Sequence, residues 1–190
     1  EYGEWTNITN SYIEQQTKKK ALDFMDVAVD PLDPSHFFVT SYGTGLYEFR
    51  DSLLVGHYTS ENSILCSAVP DIPERYTRLE SAVYDKDNCL WTIVNGEVDT
   101  TIVCFLPNGG QRGVNLYLDA ATRFFVHTSS SMIIDAGRPE KKWAVSCRSI
   151  PAVVQLDDGG TPFDAQDDRC KVQTEFHDQN GGVIIPEYFY

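Results

Sequence analysis

The sequence of 190 residues lacks the features of membrane-spanning and nucleic-acid-binding proteins. No stretch approaches the roughly 20 consecutive apolar residues that a membrane-spanning helix needs, so we expect no membrane insertion by this segment. Basic residues are scarce, since 15 Lys and Arg stand against 28 Asp and Glu and the formal net charge is −13. Because so acidic a surface repels phosphate backbones, nucleic acid is not expected as a partner.

Common catalytic motifs are also missing. "TSSSM" lacks the flanking glycines of a nucleophile elbow, and "NGGQRG" lacks the lysine of a phosphate-binding loop. None of the histidines stands in an HExxH motif or beside a plausible nucleophile; they are His36, His57, His127 and His177. We therefore predict that the protein is not an enzyme, with no catalytic residue and no cofactor.

The five cysteines form no CxxC pair and no set with zinc spacing. Their odd number leaves at least one unpaired within the chain. The simplest interpretation is that they are small buried residues in strands, and the sequence leaves their pairing open. They are Cys66, Cys89, Cys104, Cys147 and Cys170.

A hairpin pattern recurs with a period near fifty residues. "FFVTSYGTGLYEF", residues 37–49, contains an aromatic strand, a Gly-bracketed turn and a second strand. In three segments, a short apolar strand ends in Asp, and a strand with a large aromatic residue follows after a polar turn. The aspartates are Asp30, Asp85 and Asp135, at intervals of 55 and 50 residues, and the aromatics are Phe38, Trp91 and Trp143, at intervals of 53 and 52.

This period, with about four strands in each unit, is typical of β-propeller blades. The sequence therefore predicts an all-β fold, a partial propeller of about three and a half four-stranded blades, with an irregular β-sandwich as the alternative. The large aromatics should pack between blades, and the aspartate at the end of each first strand suits a turn residue that bonds its own backbone. Residues 1–19 would end a preceding blade, with Trp5 matching Tyr58. Three blades would span residues 20–64, 65–128 and 129–176, and residues 177–190 would begin a following one.

Closed propellers have typically four to eight blades, which is more than this chain supplies. We therefore expect that the rest of the propeller, or another chain, completes the ring. We also expect that the chain is not stable as an isolated monomer, because two blade faces would lack their neighbours.

Four stretches resemble the two-component-regulator propeller repeats of extracytoplasmic proteins in Gram-negative bacteria. They are "VAVDPLDPSHFFVTSYGTGLYEF", "GHYTSENSIL", "YDKDNCLWTIV" and "LDDGGTPFDAQDDR", and the resemblance covers most of residues 20 to 190. It implies a periplasmic or cell-surface location, in a glycan-responsive sensor or in a propeller protein associated with type IX secretion.

The function that this resemblance implies is a non-enzymatic recognition module that binds a glycan or a protein partner. The first alternative is a polysaccharide-active hydrolase or lyase on a propeller scaffold, which carboxylates and a histidine on one face would favour. The second alternative is an architectural scaffold, which a large exposed apolar face would favour.

Two sets of residues are candidates for binding. Calcium takes six to eight oxygen ligands, and an acidic stretch could supply some of them, although its spacing departs from the EF-hand loop. The alternative is a solvated loop whose aspartates make turns. Tyrosines could stack on sugar rings, although strand packing is the alternative. The acidic residues are Asp157, Asp158, Asp164, Asp167 and Asp168, and the tyrosines are Tyr42, Tyr47, Tyr58 and Tyr84.

Overall fold

The fold is nearly all-β, as the sequence predicts. The computed structural model describes residues 6–96, 100–114, 129–146, 151–164 and 166–184. Fourteen strands and two short helices lie within these described ranges. No helix among the same residues is long and apolar enough to cross a membrane.

Most strands belong to three antiparallel units of four strands, in which each strand pairs with the next along the chain. Unit 1 contains β1 (Phe24–Val29), β2 (His36–Gly43), β3 (Gly45–Arg50) and β4 (Leu53–Tyr58). Unit 2 contains β5 (Thr77–Tyr84), β6 (Leu90–Val94), β7 (Ile102–Phe105) and β8 (Gln111–Val114). Unit 3 contains β9 (Ser129–Ile134), β10 (Lys141–Ser146), β11 (Ala152–Asp157) and β12 (Arg169–Gln173).

Shorter elements surround these units. Helix α1 (Asn10–Thr17) precedes unit 1, and the single-turn helix α2 (Pro73–Tyr76) precedes unit 2. A small hairpin of β13 (Phe176–His177) and β14 (Val183–Ile184) follows unit 3.

The three units follow one another around a common side. The first strand of unit 1 contacts the first strand of unit 2, which in turn contacts the first strand of unit 3. The end of β2 also pairs with the start of β5 through Tyr42 and Arg78, which links units 1 and 2 into one sheet. Four-stranded sheets with adjoining first strands are arranged as the blades of a partial propeller.

The repeated aspartates close the turn after each first strand, as predicted. Asp30 Oδ1 accepts the backbone N–H of Leu32 at 2.9 Å. Asp85 Oδ1 accepts two backbone N–H groups, and Asp135 Oδ1 accepts that of Gly137 at 3.0 Å. A short carboxylate side chain that bonds its own backbone two residues later stabilises such a turn, which explains the recurrence of Asp.

Phe38 and Trp91 pack between units, which confirms the prediction for these two aromatics. Phe38 belongs to the apolar cluster that joins units 1 and 2. Trp91 is fully buried in the cluster that joins units 2 and 3. The strand register places Trp143 at the equivalent position of unit 3, where no following unit lies among the described residues.

Helix α1 covers the opposite face of unit 1. Ile13 on the helix forms a buried cluster with Tyr47 and Phe49 of β3. Thr9 caps the helix, because its Oγ1 accepts the backbone N–H of Tyr12 at 3.2 Å. A helix therefore occupies part of the segment that was predicted to end a preceding blade, while Trp5 lies outside the described residues. The predicted blade boundaries themselves stay predictions.

The cysteines differ in their surroundings. Cys89 and Cys104 are fully buried between units 2 and 3, as predicted, although only Cys104 lies in a strand and Cys89 directly precedes β6. Burial raises the pKa of Cys89 to about 11 and raises that of Cys104 further. Cys66 and Cys170 are partly exposed, and Cys147 lies outside the described residues.

Candidate functional site

A cavity of about 230 Å³ lies between units 1 and 2. It opens at the edge of the sheets where the turns β1–β2, β3–β4, β5–β6 and β7–β8 lie. Its position follows from the repeat, because corresponding turns of successive units meet at the same edge. We call it the inter-unit pocket, and its wall includes Asp30, His36, Phe38, Glu48, Arg50, Tyr58, Tyr84, Asn88, Phe105 and Gln111.

A hydrogen-bonded network forms the unit 1 side of the inter-unit pocket. His36 lies between two carboxylates, with Nδ1 2.9 Å from Asp30 Oδ2 and Nε2 2.8 Å from Glu48 Oε1. The hydroxyl of Tyr58 donates to Glu48 Oε2 at 2.6 Å. Because carboxylates only accept, each protonated ring nitrogen of His36 donates to one of them. The network fixes these four side chains relative to one another.

The pKa values of this wall follow from burial and from these hydrogen bonds. Burial alone would raise the pKa of Asp30, but hydrogen bonds from His36, the Leu32 backbone and Asn88 hold it below the ordinary value. Burial raises the pKa of Tyr58, and Glu48 raises it further. Burial, Asp30 and Glu48 likewise raise the pKa of Tyr84. Both tyrosines therefore present neutral hydroxyls at physiological pH.

Four aromatic rings form a continuous wall beside this network. The ring centroid of Phe38 lies 6.4 Å from that of Tyr84 and 6.5 Å from that of Tyr58. Tyr58 is in edge contact with Phe105, with centroids 5.3 Å apart. Since Phe38 and Tyr58 come from unit 1 and the other two rings from unit 2, the wall exists only where the units meet.

Three polar groups of the wall have no hydrogen-bond partner among the described residues. The Tyr84 hydroxyl is one of them. Gln111 Oε1 accepts the backbone N–H of Ile64 at 3.0 Å, so its amide nitrogen is left as a donor. Asn88 Oδ1 is buried and has no partner. The inter-unit pocket thus offers both donors and an acceptor to a ligand.

Two of the four tyrosines proposed for sugar stacking, Tyr58 and Tyr84, meet in this pocket. The other two lie elsewhere: Tyr47 is fully buried and stacks on His57, and Tyr42 lies beneath Arg78. Sequence reasoning missed the contribution of Asp30, His36 and Glu48. The register of the β2–β3 hairpin could have indicated that His36 and Glu48 meet. It places Glu48 opposite Phe38, and Phe38 stands two residues after His36 on the same strand.

The acidic stretch proposed for calcium forms the long β11–β12 connection. Asp158 forms a buried ion pair with Lys142, and Asp168 Oδ2 lies 2.9 Å from Arg112 Nη1. The other three carboxylates also have partners: Asp157 lies 3.5 Å from Lys141 Nζ, Asp164 accepts the Gln166 backbone N–H, and Asp167 accepts the Thr161 hydroxyl. No group of three or more potential ligands within the described ranges is placed to hold a metal ion. The calcium site stays a prediction.

The basic residues of these two ion pairs lie beside Trp91 at the contact between units 2 and 3. Lys142 Nζ lies 4.3 Å from the ring centroid of Trp91, and the Arg112 guanidinium lies 5.6 Å from it. The indole N–H of Trp91 donates to Asp85 Oδ2 at 2.7 Å. Trp91 is therefore held by cation–π contacts and by a hydrogen bond, in addition to apolar packing.

The outer face of unit 3 is apolar and open. Trp143 is flanked by two shallow grooves of about 660 and 640 Å³, with Ile133 and Val145 in one and Val153 in both. Ile133 is 63% exposed, although its equivalent in unit 1, Ala28, is buried. We call the surface formed by Ile133, Trp143, Val145 and Val153 the open face of unit 3.

Comparison with solved structures shows that this fold is shared. PorZ, a bacterial surface component of the type IX secretion system of Porphyromonas gingivalis, superposes with a TM-score of 0.74 and 23% identity over 96% of this chain. The extracellular domain of BT4673 from B. thetaiotaomicron, described as a one-component system, gives a TM-score of 0.53 and 14% identity over 87% of this chain. The Malassezia sympodialis allergen Mala s 1 gives 0.50 and 10% over 87%.

These similarities concern the fold alone, because sequence identity is low in all three. This chain spans 24% of the PorZ chain, 20% of the BT4673 chain and 45% of the Mala s 1 chain. No protein-family model and no curated protein matches the sequence.

Proposed function

We propose that this chain is a non-enzymatic, extracytoplasmic recognition module that binds a glycan in the inter-unit pocket, as part of a sensor or secretion-associated assembly. One observation carries the proposal: the pocket joins an aromatic wall to unpartnered donors and an acceptor. The location is supported by two of the similar structures, which are a bacterial surface component and an extracellular domain.

The chemistry of the pocket suits a neutral sugar. A sugar ring has an apolar face for aromatic stacking and hydroxyls that can both donate and accept. Such hydroxyls match the Tyr84 hydroxyl, the Gln111 amide nitrogen and Asn88 Oδ1 together. An anionic ligand would lie close to Asp30 and Glu48, which repel it.

The volume limits the size of the ligand. At about 230 Å³ the pocket is smaller than the cavities that take drug-sized ligands, which measure roughly 300–1,000 Å³. It therefore holds one sugar residue, and any further residues of the glycan would extend from the turn edge into solvent.

Calorimetric titration of the chain with a panel of neutral and acidic oligosaccharides tests this proposal. We expect a neutral glycan to bind and Tyr84→Ala to weaken its affinity by about tenfold or more, because a stacking surface and a hydroxyl are lost. Phe163→Ala is the matched control, since Phe163 is 64% exposed and lies outside the pocket. Absence of binding to the whole panel, or equal affinity of Tyr84→Ala and the wild type, would overturn the proposal.

A polysaccharide-active enzyme is the second candidate, because Asp30, His36 and Glu48 bring two carboxylates and an imidazole together. All four carboxylate oxygens are engaged, however, by the Leu32 backbone, by His36 and by Tyr58. This saturation favours a structural role over proton transfer to a substrate. Release of reducing ends from a bound polysaccharide by the wild type, and its loss in Glu48→Gln, would instead establish catalysis.

A further inference from the structure

Basic side chains that are removed from solvent pair with carboxylates in this protein, with one exception. Every lysine or arginine of the described ranges that is not exposed forms an ion pair, except Arg78 at the start of β5. Arg78 has neither an ion pair nor a side-chain hydrogen bond among the described residues. The ion pairs of the others are Lys19–Glu61, Arg112–Asp168, Lys141–Asp157 and Lys142–Asp158.

Two tyrosine rings hold the guanidinium of Arg78. Its central carbon lies 5.0 Å from the ring centroid of Tyr42 and 4.8 Å from that of Tyr76. Tyr42, at the end of β2, is the register partner of Arg78, and Tyr76 ends helix α2 two residues before it. The ring faces attract the positive charge, but they do not take the place of oxygen acceptors for its N–H groups. The guanidinium is thus fixed where units 1 and 2 join, with its donors unused.

These donors are open to solvent. A guanidinium has five N–H donors. The buried side-chain nitrogens and oxygens without a partner in the described part of the chain are Asn88 Oδ1 and Asp167 Oδ1, so no nitrogen of Arg78 is enclosed. The hydroxyl of Tyr76 is likewise unenclosed and has no partner among these residues. A ligand can therefore reach both the guanidinium and a hydroxyl beside it.

No carboxylate of the described residues neutralises this charge, although the chain carries 28 acidic residues against 15 basic ones. Glu80 follows two residues later on β5, but it is buried and its Oε1 accepts from Asn95 Nδ2 at 3.3 Å. An arginine held in one position with a free N–H edge matches the two oxygens of a carboxylate, which it binds by two parallel hydrogen bonds. Lysine would offer only a point charge at this place.

We propose that Arg78, Tyr42 and Tyr76 form a second binding site, which takes the carboxylate of a sugar acid. Arg78 binds both carboxylate oxygens, and the Tyr76 hydroxyl bonds a hydroxyl that the ligand carries a few bonds away. We call it the Arg78 site. Six residues of β5 separate Arg78 from Tyr84 in the inter-unit pocket, which corresponds to roughly 20 Å of extended strand. The Arg78 site is therefore separate from that pocket, and it does not rest on the function proposed above.

Protection from an arginine-selective reagent tests the proposal in the unsubstituted protein. Phenylglyoxal modifies accessible guanidinium groups, and mass spectrometry of the peptides gives the rate at each arginine. We expect glucuronate to slow the modification of Arg78 at least about fivefold, because both edges of the carboxylate bond are made to its N–H groups. Arg138 is the internal control, since it is exposed and already pairs with Asp135. Its rate should not change.

Glucose and sulfate show which part of the ligand is recognised. Glucose differs from glucuronate by lacking the carboxylate, and sulfate carries charge without the planar pair of oxygens or the sugar hydroxyls. Neither should protect Arg78 at the same concentration and ionic strength. Protection by glucose or sulfate equal to that by glucuronate, or no protection by glucuronate, overturns the proposal.

Calorimetric titration with glucuronate supplies a second measurement. Arg78→Gln should weaken the affinity about tenfold or more, because two charge-assisted hydrogen bonds are lost. Arg78→Lys should weaken it as well, since the charge stays but the planar fork does not. Arg138→Gln is the matched control, which removes the same charge outside the site. Equal affinity of either Arg78 variant and the wild type overturns the proposal.

Tyr84→Ala separates the Arg78 site from the inter-unit pocket. It changes only the pocket, so the affinity for glucuronate should stay within about twofold of the wild type, as expected for distant sites. Loss of glucuronate binding in Tyr84→Ala would place the sugar acid in the inter-unit pocket and overturn the Arg78 site. Failure of every neutral glycan to bind would overturn the proposed function instead, without changing the glucuronate result.

Discussion

Trp91 and Trp143 occupy the same register position in consecutive units and have different surroundings. Trp91 is fully buried, with Lys142 and Arg112 near its ring faces and Asp85 at its indole N–H. Trp143 lies in an open groove with no acceptor among the described residues. The repeat therefore determines the direction of the side chain, whereas the neighbouring unit determines whether the side chain contributes to stability. Substitutions at the two positions separate these two effects.

The largest expected effect is that of Trp91→Ala. Removing a buried Trp costs about 3–5 kcal/mol in free energy of unfolding. We expect Trp143→Ala to cost less than about 1 kcal/mol in the isolated chain, because no following unit packs on it. Urea unfolding followed by circular dichroism measures both values. Equal losses would show that the two faces are equally covered, contrary to the structure.

The second effect concerns adjacent lysines of β10. Lys142 is 2% exposed and pairs with Asp158, whereas Lys141 pairs with Asp157 near the surface. Lys142→Met should cost about 3 kcal/mol because it leaves a buried carboxylate unpaired, while Lys141→Met should cost less than about 1 kcal/mol. The double variant Lys142→Met with Asp158→Leu should recover most of the loss. If the double variant is no more stable than Lys142→Met, the buried pair is not the cause.

The architecture could be predicted from the sequence because it depends on local and periodic features. Asp30, Asp85 and Asp135 make the turns expected of them, and the intervals between Phe38 and the two tryptophans reflect the repeat. The pairing of acidic and basic residues could not be predicted. Lys142 and Asp158 meet through the register of β10 and β11, and Arg112 and Asp168 meet only because units 2 and 3 are in contact.

The candidate site was predictable only in part, because it too depends on strand register and on the contact between units. Tyr58 and Tyr84 were candidates for sugar stacking, but nothing in the sequence separated them from Tyr42 and Tyr47. The difference arises from the face of the strand on which each lies and from the unit opposite. Asp30 was predicted as a turn residue, and its second carboxylate oxygen also accepts from His36, a contact that requires the hairpin to form.

The third effect is a difference in pH dependence between the two inter-unit contacts. The pKa of Asp30, at the contact of units 1 and 2, is lowered by its hydrogen bonds. Its contribution to stability is therefore present above the ordinary Asp pKa of about 3.9 and is lost as the pH falls through the lower pKa of the folded state. Burial raises the pKa of Asp168, at the contact of units 2 and 3, although Arg112 opposes this. The effect of Asp168 on the pH dependence of stability is therefore opposite to that of Asp30. The free energy of unfolding falls as the pH rises through the raised pKa of Asp168.

Unfolding free energies between about pH 6 and about pH 2 measure this difference in the wild type, Asp30→Asn and Asp168→Asn. The stability advantage of the wild type over Asp30→Asn should shrink as the pH falls. Its advantage over Asp168→Asn should grow over the same interval. Parallel curves for both variants would contradict the assignment.

The smallest expected effect is spectroscopic, in the variants Trp143→Phe and Trp91→Phe. A partly exposed indole emits at longer wavelength and is quenched more readily than a buried one, so Trp143→Phe should remove most of the acrylamide-quenchable fluorescence that residues 91 and 143 contribute. Trp91→Phe should remove emission that acrylamide barely reaches. Because Phe keeps an apolar ring at position 143, the free energy of unfolding should change by less than about 0.5 kcal/mol in the isolated chain. If the two variants lose equally quenchable emission, Trp143 is covered as completely as Trp91, contrary to the structure.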